Sequence, residues 1–198
     1  MYQFLETIKI KQGRLQNISI HNERFNRCRK EIFGRKDALL LENEIHLSKK
    51  TENGIYKCRI LYKETISKIE MNAYEIPNIK SLKIVHDNYI QYPYKSENRD
   101  EINSLYLLKG ECDDILIIRN EFIMDTSYCN IVFSDGNSLI TPSTPLLKGC
   151  KRELLLREGK IHEKDIKLKD LHLFKKAYLI NSMIDLEDNV EIIMNKII

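Results

Sequence analysis

The 198-residue chain is 42% apolar and 31% charged, with a formal charge of +3. That is enough chain to bury a core as one domain or two small lobes. Lys and Arg are dispersed among nearly as many Asp and Glu, so no basic stripe exists for nucleic acid and no nucleic-acid partner is expected. No apolar run approaches the ~18 residues of a membrane span, and the opening Met1-Tyr2-Gln3-Phe4-Leu5-Glu6-Thr7 lacks a signal-peptide pattern. Five scattered cysteines (Cys28, Cys58, Cys112, Cys129, Cys150) contain no C-x-x-C pair. They argue against a disulfide framework and a metal site, and make a reducing cytoplasm the expected home.

Residues 2–10 alternate as a strand, Lys11-Gln12-Gly13 reads as a tight turn, and residues 17–20 are expected to return as the second strand of a hairpin. From His21 the period becomes helical: Phe25, Cys28 and Ile32 are spaced by three and four, and Gly34 is placed to stop the helix. A second helix is expected over 38–50, punctuated by Asn53-Gly54, and then strands over 56–62, 68–74 and 82–86. The aperiodic stretch 87–94, containing Pro93, suits an interdomain connection. A helix over 97–108 ends at Gly110. Short strands follow over 115–119, 122–124, 130–133 and 138–140, with a turn at Asp135-Gly136. A helix over 151–157 stops at Gly159, a short helix covers 167–173, and strands over 177–180 and 190–194 close the chain.

The chemistry concentrates between Tyr92 and Arg152. Lys95 lies in Tyr94-Lys95-Ser96-Glu97-Asn98-Arg99, after two tyrosines and a proline. Asp125 ends an apolar strand in Asp125-Thr126-Ser127-Tyr128-Cys129-Asn130, and Gly149 opens a helix in Leu147-Lys148-Gly149-Cys150-Lys151-Arg152. An amine lowered in pKa by apolar surroundings, a carboxylate for a ring nitrogen and a helix N-terminus for a dianion are what pyridoxal 5'-phosphate demands of a protein. Taken singly, each has a plainer reading: a solvated lysine, a turn aspartate, a loop glycine.

Together these segments resemble the class IV aminotransferase family, the fold-type IV pyridoxal-phosphate enzymes. That family includes 4-amino-4-deoxychorismate lyase, branched-chain aminotransferase and D-amino-acid aminotransferase. Phe4-Leu5-Glu6-Thr7-Ile8-Lys9-Ile10 with Gly13 resembles the family's opening strand, and His21-Asn22-Glu23-Arg24-Phe25 its H-x-x-R-L. Tyr94 to Arg99 is similar to the lyase-like K-x-x-N-R, Asp125 and Asn130 to E-x-x-x-x-N, and Thr141-Pro142 and residues 147–152 to T-P and L-x-G-x-x-R. Asn181-Ser182-Met183 resembles a late N-S/A-hydrophobic segment.

The resemblance implies an α/β (α+β) fold of two lobes: an N-terminal α/β sandwich over residues 1–90, and a C-terminal barrel-like sheet with helices over 91–198 that carries the cofactor lysine. It implies pyridoxal 5'-phosphate as cofactor and a homodimer acting on a small amino-acid-like substrate. Lys95 would join the cofactor and move protons. Asp125 would pair with the pyridine nitrogen, and Arg24 would bind phosphate with the N–H groups of Cys150 and Lys151 and the hydroxyl of Ser182. Arg59 would meet a substrate carboxylate, against the alternative of a surface arginine on an edge strand.

Three features depart from the family pattern. Asp125 stands where glutamate is usual, the segment preceding the first strand is lacking, and Lys63 to Lys68 replaces a glycine- and arginine-rich loop. The expected reaction is cleavage of 4-amino-4-deoxychorismate to 4-aminobenzoate and pyruvate for folate synthesis. Transamination of branched-chain or D-amino acids is the alternative, and a non-catalytic protein of the same fold a third.

Overall fold

A computed structural model describes residues 3–198; Met1 and Tyr2, the start of the first expected strand, lie outside them. The chain divides into two compact units, the first comprising Met1–Ile76 with Tyr94–Asn98, the second Pro77–Pro93 with Arg99–Ile198. The boundary expected near residue 90 therefore falls at 76/77 for the main crossing. The short segment holding Lys95 belongs to the first unit and not to the second, as the expected boundary had it. Residues 87–93 are ordered within the second unit, where the Asp87 carboxylate accepts from Tyr89 N–H and Ile90 N–H at 2.7 and 2.9 Å.

The first unit begins with β1 (Phe4–Lys11), which turns through Gln12 and Gly13, both at positive φ, into the two-residue β2 (Arg14–Leu15). Paired positive φ angles match the right-handed twist of a hairpin. The expected return strand over 17–20 does not form. Asn17 takes a left-handed conformation (φ 56°) and starts α1 (Ile18–Phe33), three residues before the expected start. Gly34 ends α1 at φ 68°, its N–H bonded to Lys30 O and the next N–H to Arg29 O.

The helix expected over 38–50 is reduced to α2 (Leu41–Glu44) and a 3-10 turn at Lys49–Glu52. The reason lies on α1. Asn26 bonds both the N–H and the C=O of Leu39, Asn22 accepts from Leu41 N–H, and Arg29 donates to Asp37 O. These side chains satisfy the backbone groups that helix formation would otherwise satisfy.

Strands β3 (Ile55–Tyr62) and β4 (Ile66–Ala73) complete an antiparallel sheet of order β2-β1-β3-β4. Alternation puts Phe4, Ile8, Ile10, Cys58, Ile60 and Tyr62 on one face, packed with Phe25 and Cys28 of α1. Lys95 O accepts from Leu5 N–H and Gln3 O from Glu97 N–H, so the Lys95 segment lies antiparallel along the start of β1.

The second unit opens with β5 (Leu82–His86), and α3 (Asp100–Tyr106) continues as a 3-10 turn to Gly110. Strand β6 (Asp114–Arg119) runs parallel to β5 and antiparallel to β7 (Phe122–Thr126). A second sheet has the order β10-β9-β8-β11-β12. Its strands are β8 (Asn130–Ser134), β9 (Leu139–Pro142), β10 (His162–Lys164, not expected), β11 (Lys176–Ile180) and β12 (Glu191–Ile193). The barrel-like sheet expected in this half thus consists of two hydrogen-bonded sheets, and the turn after β7 leads from one to the other. Between β9 and β10 comes α4 (Cys150–Arg157), whose Leu155 packs on Val132 and Ile180. The short helix expected over 167–173 is a 3-10 helix at Leu168–Leu173. No helix among the described residues is long and apolar enough to cross a membrane.

Candidate active site

In the first unit the inward face of β1 carries one polar residue, Glu6, at 0% exposure. A buried carboxylate must be paired, and α1 supplies the partners one turn apart. Arg24 donates through Nε and Nη2 to the two carboxylate oxygens at 2.8 and 2.6 Å, and His21 Nδ1 lies 2.7 Å from Oε2. Burial pushes the Glu6 carboxyl up, but the Arg24 charge and the bonds from His21 and Arg24 outweigh it and hold its pKa at about 2. His21 is pushed down from its ordinary value, chiefly by burial, and the charges of Arg24 and Lys95 add to that while Glu6 opposes it. Lys95, half-buried on the edge of β1, thus shares an electrostatic neighbourhood with the Glu6–His21–Arg24 network.

Arg59 lies on β3, between β1 and β4, so it is not an edge-strand residue. Its guanidinium is 34% exposed, on the sheet face opposite α1, with Glu70 and Glu97 each at 3.4 Å.

In the second unit Asp125 sits on β7, 5% exposed. Its Oδ1 accepts from Asn130 Nδ2 at 2.8 Å and its Oδ2 from Leu147 N–H at 3.0 Å. Both donors are neutral, so burial dominates and pushes the carboxyl up to about 6, against the lowering by those bonds and by the Arg152 charge. Asn130 also donates to Leu147 O at 2.9 Å. A Cβ on Gly149 would lie 2.1 Å from Asn130 Oδ1, so any other residue here forces Asn130 or the start of α4 to shift. Gly149 caps α4 with no side chain over the N–H groups of its first turn, which have no intrahelical acceptor.

Cys150 and Lys151, expected to offer those N–H groups, are both buried, and the Lys151 ammonium pairs with Asp185. That pair joins the start of α4 to the turn holding Ser182. The turn is shaped by Asn181, whose Oδ1 accepts from Met183 and Ile184 N–H at 2.7 and 3.0 Å. Arg152 is 2% exposed and donates to Pro142 O and to Glu163. The second unit therefore brings together Asp125, the start of α4 and the Ser182 turn, while the first brings Lys95 near His21 and Arg24.

Among the side chains in these networks, Glu6 and His21 were not assigned roles from sequence, and Asn130 was noted only for its spacing. A signal existed for Glu6: an acidic residue at an inward position of an alternating strand demands a buried cation.

A buried carboxylate whose hydrogen bonds come only from neutral donors fits a protonated ring nitrogen, and an uncovered helix start beside it fits a phosphate. Residues 3–186 match the model of the amino-transferase class IV family, and the chain belongs to that family of enzymes. An uncharacterised protein of Haemophilus influenzae is 36% identical over 185 residues, covering 92% of this chain and 98% of that one. A crystal structure from Haemophilus somnus, provisionally assigned as a 4-amino-4-deoxychorismate lyase, superposes with a TM-score of 0.89 at 31% identity, over 94% of this chain and 98% of that one. A hypothetical aminotransferase of Mycobacterium tuberculosis in its PLP-bound form shares the fold at TM-score 0.72 and 13% identity, over 91% of this chain and 78% of that one. The fold is thus the α/β arrangement of fold-type IV aminotransferases.

Proposed function

We propose that the protein is a pyridoxal 5'-phosphate enzyme that cleaves 4-amino-4-deoxychorismate to 4-aminobenzoate and pyruvate. The observation carrying the cofactor reading is the buried Asp125, fixed by Asn130 and Leu147 next to the glycine-capped start of α4. The choice of reaction is supported by the 31% identity with the Haemophilus somnus protein.

When bound, the cofactor withdraws electrons from the substrate carbon attached to its amino group. Asp125 would keep the ring nitrogen protonated, and a cationic partner there would stabilise its ionised form. The backbone N–H groups of Cys150 and Lys151, the Ser182 hydroxyl and Arg24 would hold the phosphate. Glu6 takes the Nε and Nη2 edge of Arg24 and fixes the guanidinium plane. Lys95 would attach the cofactor and serve as the base and acid that takes the proton from the substrate carbon and returns one to the departing pyruvate methylene.

Transamination is the second reading, and Arg59 favours it: a guanidinium 34% exposed, with two long ion pairs, can exchange one of them for a substrate carboxylate. We read the enzyme as cytoplasmic, in keeping with five free buried cysteines. We read it as a homodimer, in keeping with the outward Leu107 and Leu108; light scattering on the purified protein tests this.

The deciding experiment treats purified protein with the cofactor, records its absorbance before and after borohydride, and maps the modified peptide. An adduct on Lys95 is expected. Formation of 4-aminobenzoate from the pure chorismate derivative, lost in Lys95→Ala, supports the lyase; an adduct without that product leaves transamination.

A further inference from the structure

Arg59 belongs to a charge cluster on the sheet face opposite α1. Four side chains take part: Arg59 on β3, Glu70 and Lys68 on β4, and Glu97 on the segment paired with β1. The two carboxylates flank the guanidinium at 3.4 Å each, longer than a charge-assisted hydrogen bond. Neither closes the bidentate fork that Glu6 forms with Arg24.

The two acids are not equivalent. Lys68 holds Glu70 at 2.7 Å on the same strand, so Glu70 stays when another anion arrives. Among the described residues the ion pair of Glu97 is with Arg59 alone. Its backbone N–H is anchored to Gln3 O at 2.8 Å, so its side chain can turn away without moving the segment. Lys95 and Glu97 flank Ser96, which bridges to Phe4 at the start of β1.

We propose that Glu97 is a specificity-determining residue whose carboxylate occupies Arg59, so that a substrate carboxylate reaches the guanidinium only by displacing it. The proposal rests on the reading of Arg59 as a substrate position. Glu97 then selects for substrates carrying a carboxylate strong enough to exchange, and disfavours those that offer an uncharged group there.

Calorimetric titration with glutarate and with its uncharged diamide, glutaramide, tests this on the purified, cofactor-loaded protein and on Glu97→Gln, Arg59→Gln and the Arg59→Gln/Glu97→Gln pair. Glu97→Gln should bind glutarate about fivefold more tightly, the scale of one half-exposed ion pair, with glutaramide unchanged. The gain should vanish in the double variant. The proposal is overturned by equal glutarate affinity in Glu97→Gln, by a gain shared with glutaramide, by a gain that survives without Arg59, or by no glutarate binding to either form. Borohydride labelling of Lys95 is read separately, so loss of the cofactor reading and loss of this one are distinct results.

Discussion

Asn130 reaches back from the first residue of β8 to Asp125 near the end of β7, donating one amide hydrogen to the carboxylate and the other to Leu147 O. One side chain thus holds both the buried acid and the strand of backbone that leads into α4. Asn130→Ala should leave Asp125 with a single donor and Leu147 O without this partner. A loss of roughly 2 kcal/mol in urea unfolding is expected, with a weaker affinity for the cofactor measured by absorbance titration.

Gly149→Ala tests the same junction from the other side. The added methyl meets Asn130 Oδ1 at 2.1 Å, so Asn130 must leave Asp125 or α4 must move. The expected cost is about 1–3 kcal/mol. At Gly34, where no atom lies within 4 Å of a new Cβ, only backbone strain at positive φ applies. Gly34→Ala should cost about 1 kcal/mol and leave cofactor affinity unchanged.

Glu6→Gln removes the charge that neutralises a nearly buried Arg24. Breaking such a pair from one side costs about 3–5 kcal/mol, a drop that thermal or urea unfolding would register. The native pair also has an acid limit. The folded pKa of about 2 is below the ordinary 4.5, so the stabilisation is full above 4.5 and is lost as pH falls toward 2. His21 works in the same direction: its lowered pKa means stability declines once the pH drops below 6.5, where the unfolded chain takes up the proton first.

Asp125 runs the other way. Its folded pKa of about 6 exceeds the ordinary 3.8, so the folded state binds the extra proton between those values. Its contribution is full below 3.8 and is lost as pH rises through 6. In cofactor-free protein, the stability of Asp125→Asn relative to native should increase from pH 4 to above 6 and then stay flat. A difference that does not change with pH would show that Asp125 is ionised throughout.

The chain end lies along β5. Ile84 N–H donates to Ile198 O at 2.6 Å and Ile198 N–H to Leu82 O at 2.9 Å. Deleting Ile197 and Ile198 should cost roughly 2–4 kcal/mol through two backbone bonds and the buried Ile197. It would also bare the β5 edge, so concentration-dependent aggregation is the expected readout.

Much of the strand pattern was legible in the sequence because alternation, β-branched runs and turn residues are local. The strands β3, β5, β6 and β9 fall where their runs of Ile, Leu and Val predict, and Gly34 and Gly159 stop helices as their positions suggest. The failures are local signals overruled from a distance. Residues 38–50 are rich in Leu and charge, yet Asn22, Asn26 and Arg29 on α1 hold the segment extended. Residues 17–20 look strand-like, but Asn17 at positive φ turns them into α1.

For the candidate site, motif spacing singled out Lys95, Arg24, Asp125, Gly149 and Ser182, because a motif preserves residue type and order along the chain. Composition and periodicity by themselves also determined the mixed α/β character and the apolar faces. Only the tertiary structure decided that Glu6 and His21 immobilise Arg24, that Asn130 and Leu147 hold Asp125, and that Glu97 sits on Arg59. These are contacts between residues 5 to 38 positions apart, made by side chains whose partners depend on how sheets and helices pack. The pKa of a buried acid likewise depends on which donors surround it, and no linear pattern in the chain specifies that.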